Sequence, residues 1–410
     1  MTISDFAIRR PVITVVTMLA LVVFGLVALT QLQTDEFPDV AQPIVNVAVP
    51  YPGASPDVVE RELRREGLER RELGREEFLR RVSVDIIGVI PTADRARAFL
   101  DDTSTNKREK LIDELLADPR FGRRMADIWT AKLFPKESNN RFVLKDPLYK
   151  WLEAEFNKNP GWDKFVTSLV SASGAVSENG AVTYFIANRT VDKLTDTTAQ
   201  HFLGIQLQCA QCHNHPFTSW KQTEYWGMAA FFGRVGRKNA QVLGGVANAQ
   251  SQRQVIFNRP TGNVINKRTS APAKIQPLDG QPMEVAADED PRHKLVDWMA
   301  TKDNPFFAKA IVNRVWAHYM GRGIIDPPDN LSAFNPASHP DLLNELCWGF
   351  IASRFDLRWL HRIILNSRTY QQSSLPADGS EGDRTHYASF APRRLHAEVL
   401  LDALNTATGT

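Results

Sequence analysis

Apolar positions along the chain fall into three patterns. From residue 11 to residue 32 no side chain is charged and most are apolar; a run of about 20 such residues is long enough to cross a bilayer core as a helix. From Phe78 onward the apolar residues recur at helical spacing. Phe78, Val82 and Ile86 form one stripe, broken by Gly88 and Pro91, and Thr92 reads as the N-cap of a helix to Leu100. The stretch 107–134 continues in the same way, interrupted at Asp118-Pro119. Residues 150–157, 162–171 and 191–207 predict further helices, with a loop at 174–180 and a short apolar stretch at 182–186. Residues 234–290 lose this period. They carry Gly, Asn, Gln and Pro with short apolar groups such as Val255-Ile256-Phe257 and Val264-Ile265, which predicts loops with a few short strands. Helical spacing returns at His293 and persists through 304–321, 341–353 and 357–366.

Between the first two patterns lies a charged stretch. Of the 22 residues 60–81, fifteen are charged, eight basic and seven acidic. Such mixed charge suits a solvated face or linker, and the acids cancel the bases too well for nucleic-acid binding. The expected organisation is an anchor segment over 1–60 with its membrane helix at 11–32, and a charged junction over 61–75. A helical domain follows over 76–235, then a loop-rich linker over 236–290 and a second helical domain over 291–410. The fold class is mainly α, with one N-terminal transmembrane helix. Arg9 and Arg10 precede the apolar run, and Asp35 and Glu36 follow it. The positive-inside rule then places the N-terminus in the cytoplasm and the bulk of the chain outside the inner membrane.

Composition narrows the function classes. Lys+Arg 49 against Asp+Glu 47 leaves a net charge of +2, without the basic excess of a dedicated nucleic-acid binder. Three cysteines are too few for a disulfide-built scaffold, and a mean hydropathy of −0.29 excludes a polytopic membrane protein. No Ser nucleophile elbow, phosphate-binding loop or dinucleotide fingerprint is present. No small-molecule substrate is identified, and the reading is not that of an enzyme.

The chemistry concentrates at Cys209-Ala210-Gln211-Cys212-His213-Asn214-His215. Cys209, Cys212 and His213 form C-x-x-C-H, the attachment signature of haem c. One helical turn places two thiols where they can add to the two vinyl groups, and the next residue offers its imidazole to the iron. Other uses of the same atoms stay open: a zinc site from Cys209, Cys212, His213 and His215, a structural or redox disulfide, or plain packing. The second axial ligand is often Met or His. Met228 follows on an aromatic run with Tyr225, Trp226, Phe231 and Phe232, where it reads as a core side chain or as that ligand. His318, His339, His361 and His396 are further candidates that read more simply as packing or surface residues. Cys347, among Leu342, Leu343 and Leu346, reads as a buried free thiol, and Arg314, with Asn313 and Trp316, as a structural salt-bridge former.

Two resemblances add expectations. Residues 1–60, with the Phe37-Pro38-Asp39 turn and the Tyr51-Pro52-Gly53-Ala54-Ser55-Pro56 loop, resemble the start of a resistance–nodulation–division efflux permease. One span without an ionisable group lacks what a proton-coupled pump requires. HFLGIQLQCAQCHNHPFTSWKQTEYWGMAAFFGRV and the segments upstream, over roughly residues 63–235, resemble the planctomycete-type cytochrome domain, second type. NPFFAKAIVNRVWAHYMGRGI and the segments that follow, over roughly 293–410, resemble the PSD-type domain, within which the chain is expected to stop. The resemblance implies a membrane-anchored, extracytoplasmic, cytochrome-like protein of undetermined role, with haem c, electron transfer and a redox partner protein as the expected chemistry. The alternatives are an envelope binding or scaffold module with a structural C-x-x-C, and a transporter fragment.

Overall fold

A computed structural model of the protein describes residues 73–134, 144–239, 254–376, 383, 385–395 and 397–408. All lie within one compact unit, Tyr51–Thr410. The membrane helix expected at 11–32 and the permease-like segment lie outside the described residues. No described helix is long and apolar enough to cross a membrane.

The described chain is mainly helical. Helix α1 (Arg75–Ile87) buries the stripe Phe78, Val82 and Ile86 completely. It ends at Gly88, whose φ of 74° is open to glycine at little cost. Helix α2 (Ala93–Asp101) starts where Thr92 accepts a hydrogen bond from the Arg95 N–H at 3.4 Å. Asp118-Pro119 separates α3 (Lys107–Ala117) from α4 (Arg120–Leu133). Helix α5 (Asp146–Lys158) packs along α4, and α6 (Trp162–Val170) follows. After a short helix α7 (Thr183–Ala187), α8 (Val191–Thr198) runs into a π-helical turn, Ala199–Leu203, that closes at Gly204. Gly204 has φ 67°, and a Cβ there would meet the Leu331 side chain at 2.8 Å. Helix α9 (Gln222–Ala230) completes the first region. The later helices are α10 (Pro291–Met299), α11 (Phe307–Met320), α12 (Pro340–Ala352), α13 (Leu357–Asn366) and α14 (Ala397–Thr408).

Three short strands form one antiparallel sheet in the order β1–β3–β2: β1 (Gly174–Ala175), β2 (Val235–Asn239) and β3 (Gln254–Asn258). Strand β3 contains the expected Val255-Ile256-Phe257. Strand β1 falls inside the expected loop at 174–180 and exists through its pairing with Val255 and Ile256.

The two helical regions share one hydrophobic core. Trp129, Trp162, Phe165 and Phe202 make its aromatic centre, with Trp129 and Trp162 centroids 5.0 Å apart and Trp129 stacked on Phe202 at 6.1 Å. Helix α13 packs on α3, and α11 on the π-helical turn. Polar ties join the same regions: the Tyr370 hydroxyl donates to Asp85 at 2.9 Å, and Arg393 pairs with the other oxygen at 2.7 Å. Residues 254–290 are loop-rich as expected but pack back on the first region. Arg234 donates to the Val285 carbonyl at 2.7 Å, and the Gln276 N–H to the Gly227 carbonyl at 3.2 Å. The expected charged junction ends earlier than residue 75: Leu73 is buried in the core, and its N–H bonds to the Gln371 carbonyl at 3.0 Å.

Candidate functional site

The C-x-x-C-H segment is a surface turn seated on α9. Gln208–Gln211 form one turn of 3-10 helix, and Cys212 caps it. Ala210 is the buried anchor. The Gln211 carbonyl accepts from the Trp226 indole N–H at 3.0 Å and from the Gln222 amide at 3.4 Å. The Asn214 side chain accepts from the Gln222 N–H at 3.0 Å. Gln222 is itself held by a reciprocal amide pair with Asn266, at 2.7 and 2.9 Å. Beyond the turn, the His215 N–H bonds to the Trp220 carbonyl at 2.8 Å, and Trp220 packs edge-on against Phe306 at 5.7 Å. The turn is thus fixed from below by α9 and from the side by the second helical region.

Both Cys209 and Cys212 are exposed, free thiols. His213 is also exposed, and its Nδ1 lies 2.6 Å from the Asn214 carbonyl oxygen. A carbonyl oxygen only accepts, so Nδ1 carries a proton, and in the neutral ring the lone pair is then on Nε2. Metal-ligating histidines are oriented by this kind of contact. Two accessible thiols and an exposed imidazole therefore lie on one surface turn. His215 has the other tautomer, because Nδ1 accepts from the Phe217 N–H at 3.2 Å. Partial burial and then neighbouring His213 lower its pKa. Among the described residues no group of three or more His, Cys, Asp or Glu side chains is arranged to hold a metal ion.

Met228 is fully enclosed in the core, and a ligand role there requires α9 to open. Cys347 is free and buried as expected, and burial pushes its thiol up to about 12. The Asn313 amide brackets residue 325, donating to its carbonyl at 2.8 Å and accepting from its N–H at 2.9 Å. Arg314 departs from its expected salt bridge: its guanidinium donates to the Gln200 carbonyl at 3.2 Å, and its Nε has no partner among the described residues. His339 sits beside Ser338 at 3.0 Å, and His396 lies outside the described residues.

Sequence reasoning missed a cavity of about 1000 Å³ between the two helical regions. Arg124, Trp129 and His201 line it from the first region; Arg314, His318 and His361 line it from the second. None of Cys209, Cys212, His213 or Met228 lines it. The His318 and His361 rings therefore belong to this cavity.

Comparison with known families divides the chain along these regions. Residues 57–237 match PSCyt2, described as a protein of unknown function (DUF1549). Residues 291–410 match PSD1, described as a protein of unknown function (DUF1553). Residues 3–74 match the AcrB/AcrD/AcrF family. No solved structure matches the chain. The chain therefore combines a permease-type N-terminal segment with two uncharacterised family regions, as its motifs suggest.

Proposed function

We propose that the protein is a cytochrome-like envelope protein that attaches haem c through Cys209 and Cys212, with His213 as proximal ligand. The observation that supports this most is the contact of His213 Nδ1 with the Asn214 carbonyl oxygen, on a turn whose two thiols are exposed. Haem held there would supply a one-electron centre at the protein surface. The residues of this chain do the positioning. Asn214 orients the imidazole, Trp226 and Gln222 hold the turn, and Ala210 pins it to the core. In this reading the apolar segment 11–32 anchors the chain in the inner membrane with residues beyond it outside, where haem c attachment takes place, and a redox partner docks at the exposed turn.

Thioether bonds survive denaturation, so chain produced in a host with a c-type maturation system should keep a peroxidase stain on a denaturing gel. Cys209→Ala with Cys212→Ala should abolish it, and His213→Ala should change the spectrum. Colourless protein from such a host, with a Cys209–Cys212 disulfide by mass, overturns the haem reading and favours the structural C-x-x-C. Reporter fusions after residue 60 test the topology, and a cytoplasmic signal there would exclude attachment.

A further inference from the structure

A second, smaller pocket opens where α1 meets the chain that follows residue 390. Its volume is about 360 Å³, within the range of small-molecule sites. Helix α1 turns Glu77, Arg80, Arg81 and Val84 towards it, a stripe at i, i+3, i+4 and i+7, while Phe78, Val82 and Ile86 face the core. Pro392, Arg393, Arg394 and Leu395 line it from the second region. In all, five lining residues are arginines and two are carboxylates, Glu77 and Asp85.

Three of the five arginines already have counter-charges. Arg81 pairs with Glu77 at 2.9 Å, and its other terminal nitrogen donates to the Tyr370 and Gln372 carbonyls at 2.9 and 2.7 Å. Arg393 pairs with Asp85 at 2.7 Å. Arg124 lies in the field of Asp127 and Asp85. These groups are fixed by the fold and serve as walls. Arg80 and Arg394 differ. Both are exposed, and neither has a hydrogen bond or an ion pair among the described residues. Two guanidinium charges are therefore left uncompensated at the mouth of one pocket, with their N–H groups open to an incoming molecule. Ile90, Pro392 and Leu395 add accessible apolar surface beside them.

We propose that this pocket binds a small dianionic phosphate monoester with an apolar body. Arg80 and Arg394 take the phosphoryl oxygens, and Ile90, Pro392 and Leu395 receive the remainder of the molecule. A dianion balances the two free charges, and a guanidinium suits it because its N–H groups form a planar fork whose charge strengthens each bond. One arginine comes from each family region, residues 57–237 and 291–410, and neither family description assigns a site there. The site is complete only where the two regions join, and it is independent of the thiol turn.

Calorimetric titration of the full-length chain at about pH 8, where a phosphate monoester carries close to two charges, tests this with phenyl phosphate, phenyl sulfate, inorganic phosphate and phenol as probes. Phenyl sulfate keeps the shape with a single charge, and inorganic phosphate keeps the charge without the ring. Phenyl phosphate should bind best, phenyl sulfate and inorganic phosphate more weakly, and phenol not at all. Arg80→Gln and Arg394→Gln should each weaken phenyl phosphate by about tenfold or more, and the double variant should abolish binding. Arg394→Lys, which keeps the charge but not the fork, should weaken it less than Arg394→Gln. Both positions are exposed, so the variants should fold, with circular dichroism as the check, and the exposed control Arg97→Gln should bind like the parent. Absence of saturable phenyl phosphate binding below about 10 mM overturns the site, and parent-like binding by the double variant overturns its location. Equal binding of phenyl sulfate and phenyl phosphate overturns the dianion, and equal binding of inorganic and phenyl phosphate overturns the apolar body.

Discussion

The thiol turn and the inter-region cavity handle polar chemistry in opposite ways. At the turn, reactive groups face solvent, and the buried polar groups beneath them are satisfied: Gln222 and Asn266 complete each other, and Trp226 bonds to Gln211. In the cavity, Arg124, Arg314, His201 and His318 are withdrawn from solvent and left incomplete. Surface exposure lets the turn react with an incoming group at little cost to the fold. The enclosed nitrogens of the cavity wall carry an energetic cost that the rest of the fold must offset. The contrast separates an exposed reactive turn from a wall of enclosed polar groups.

The largest test removes the wall shared by the cavity and the core. Trp129→Ala should destabilise the protein by about 3–5 kcal/mol, because Trp129 stacks on Phe202 and packs against Trp162. Thermal melts followed by circular dichroism would show it, and a small shift would mean that the cavity wall is not part of the core. Gln222→Ala comes next. It strands the buried Asn266 Nδ2 and should cost about 1–3 kcal/mol, while raising amide exchange at Gln211 and Asn214. Unchanged exchange would mean that α9 does not hold the turn.

A smaller effect should come from Asp196, on α8 beneath the turn, which accepts from the Tyr225 hydroxyl at 3.1 Å. Burial raises its pKa from 3.8 to about 6, partly offset by that hydrogen bond. The folded state thus favours the protonated carboxyl. The resulting stability is full below pH about 4 and is lost as the pH rises through about 6. Asp196→Asn keeps an acceptor for Tyr225 and should gain about 1 kcal/mol at pH 8, discounted for partial exposure, and nothing at pH 4. A gain that does not depend on pH would reassign the effect to packing. The smallest effect belongs to the exposed thiols: without haem, Cys209→Ala with Cys212→Ala should stay within about 0.5 kcal/mol of the parent. A larger loss would make the turn structural and remove the contrast.

Helices with a buried face were legible because their pattern repeats within a few residues, as for Phe78, Val82 and Ile86 on α1. The C-x-x-C-H turn was legible for a related reason, since its chemistry is contiguous. Strand β1 was not: Gly174 and Ala175 carry no alternation, and only their distant partners in β3 make them a strand. The cavity was hidden more deeply. Arg124, His201 and Arg314 sit far apart on separate elements, and each alone reads as an ordinary polar residue of a helix. Arg314 was legible as a charge on an amphipathic helix, but not the neighbours it meets, which are the Gln200 carbonyl and the charge of Asp329. The charged junction expected at 61–75 misled at its end, since what buries Leu73 is a partner as distant as Gln371.

The core shared by the two helical regions also has a consequence for biosynthesis. Asp85 on α1 finds its Tyr370 partner 285 residues later, and Leu73 waits equally for Gln371. At roughly 5–20 residues per second, translation separates Asp85 from Tyr370 by on the order of 15–60 s. For that interval the buried Asp85 carboxylate lacks its Tyr370 and Arg393 partners on the nascent chain. The polar ties between the two regions are therefore made only after the second region has emerged from the ribosome.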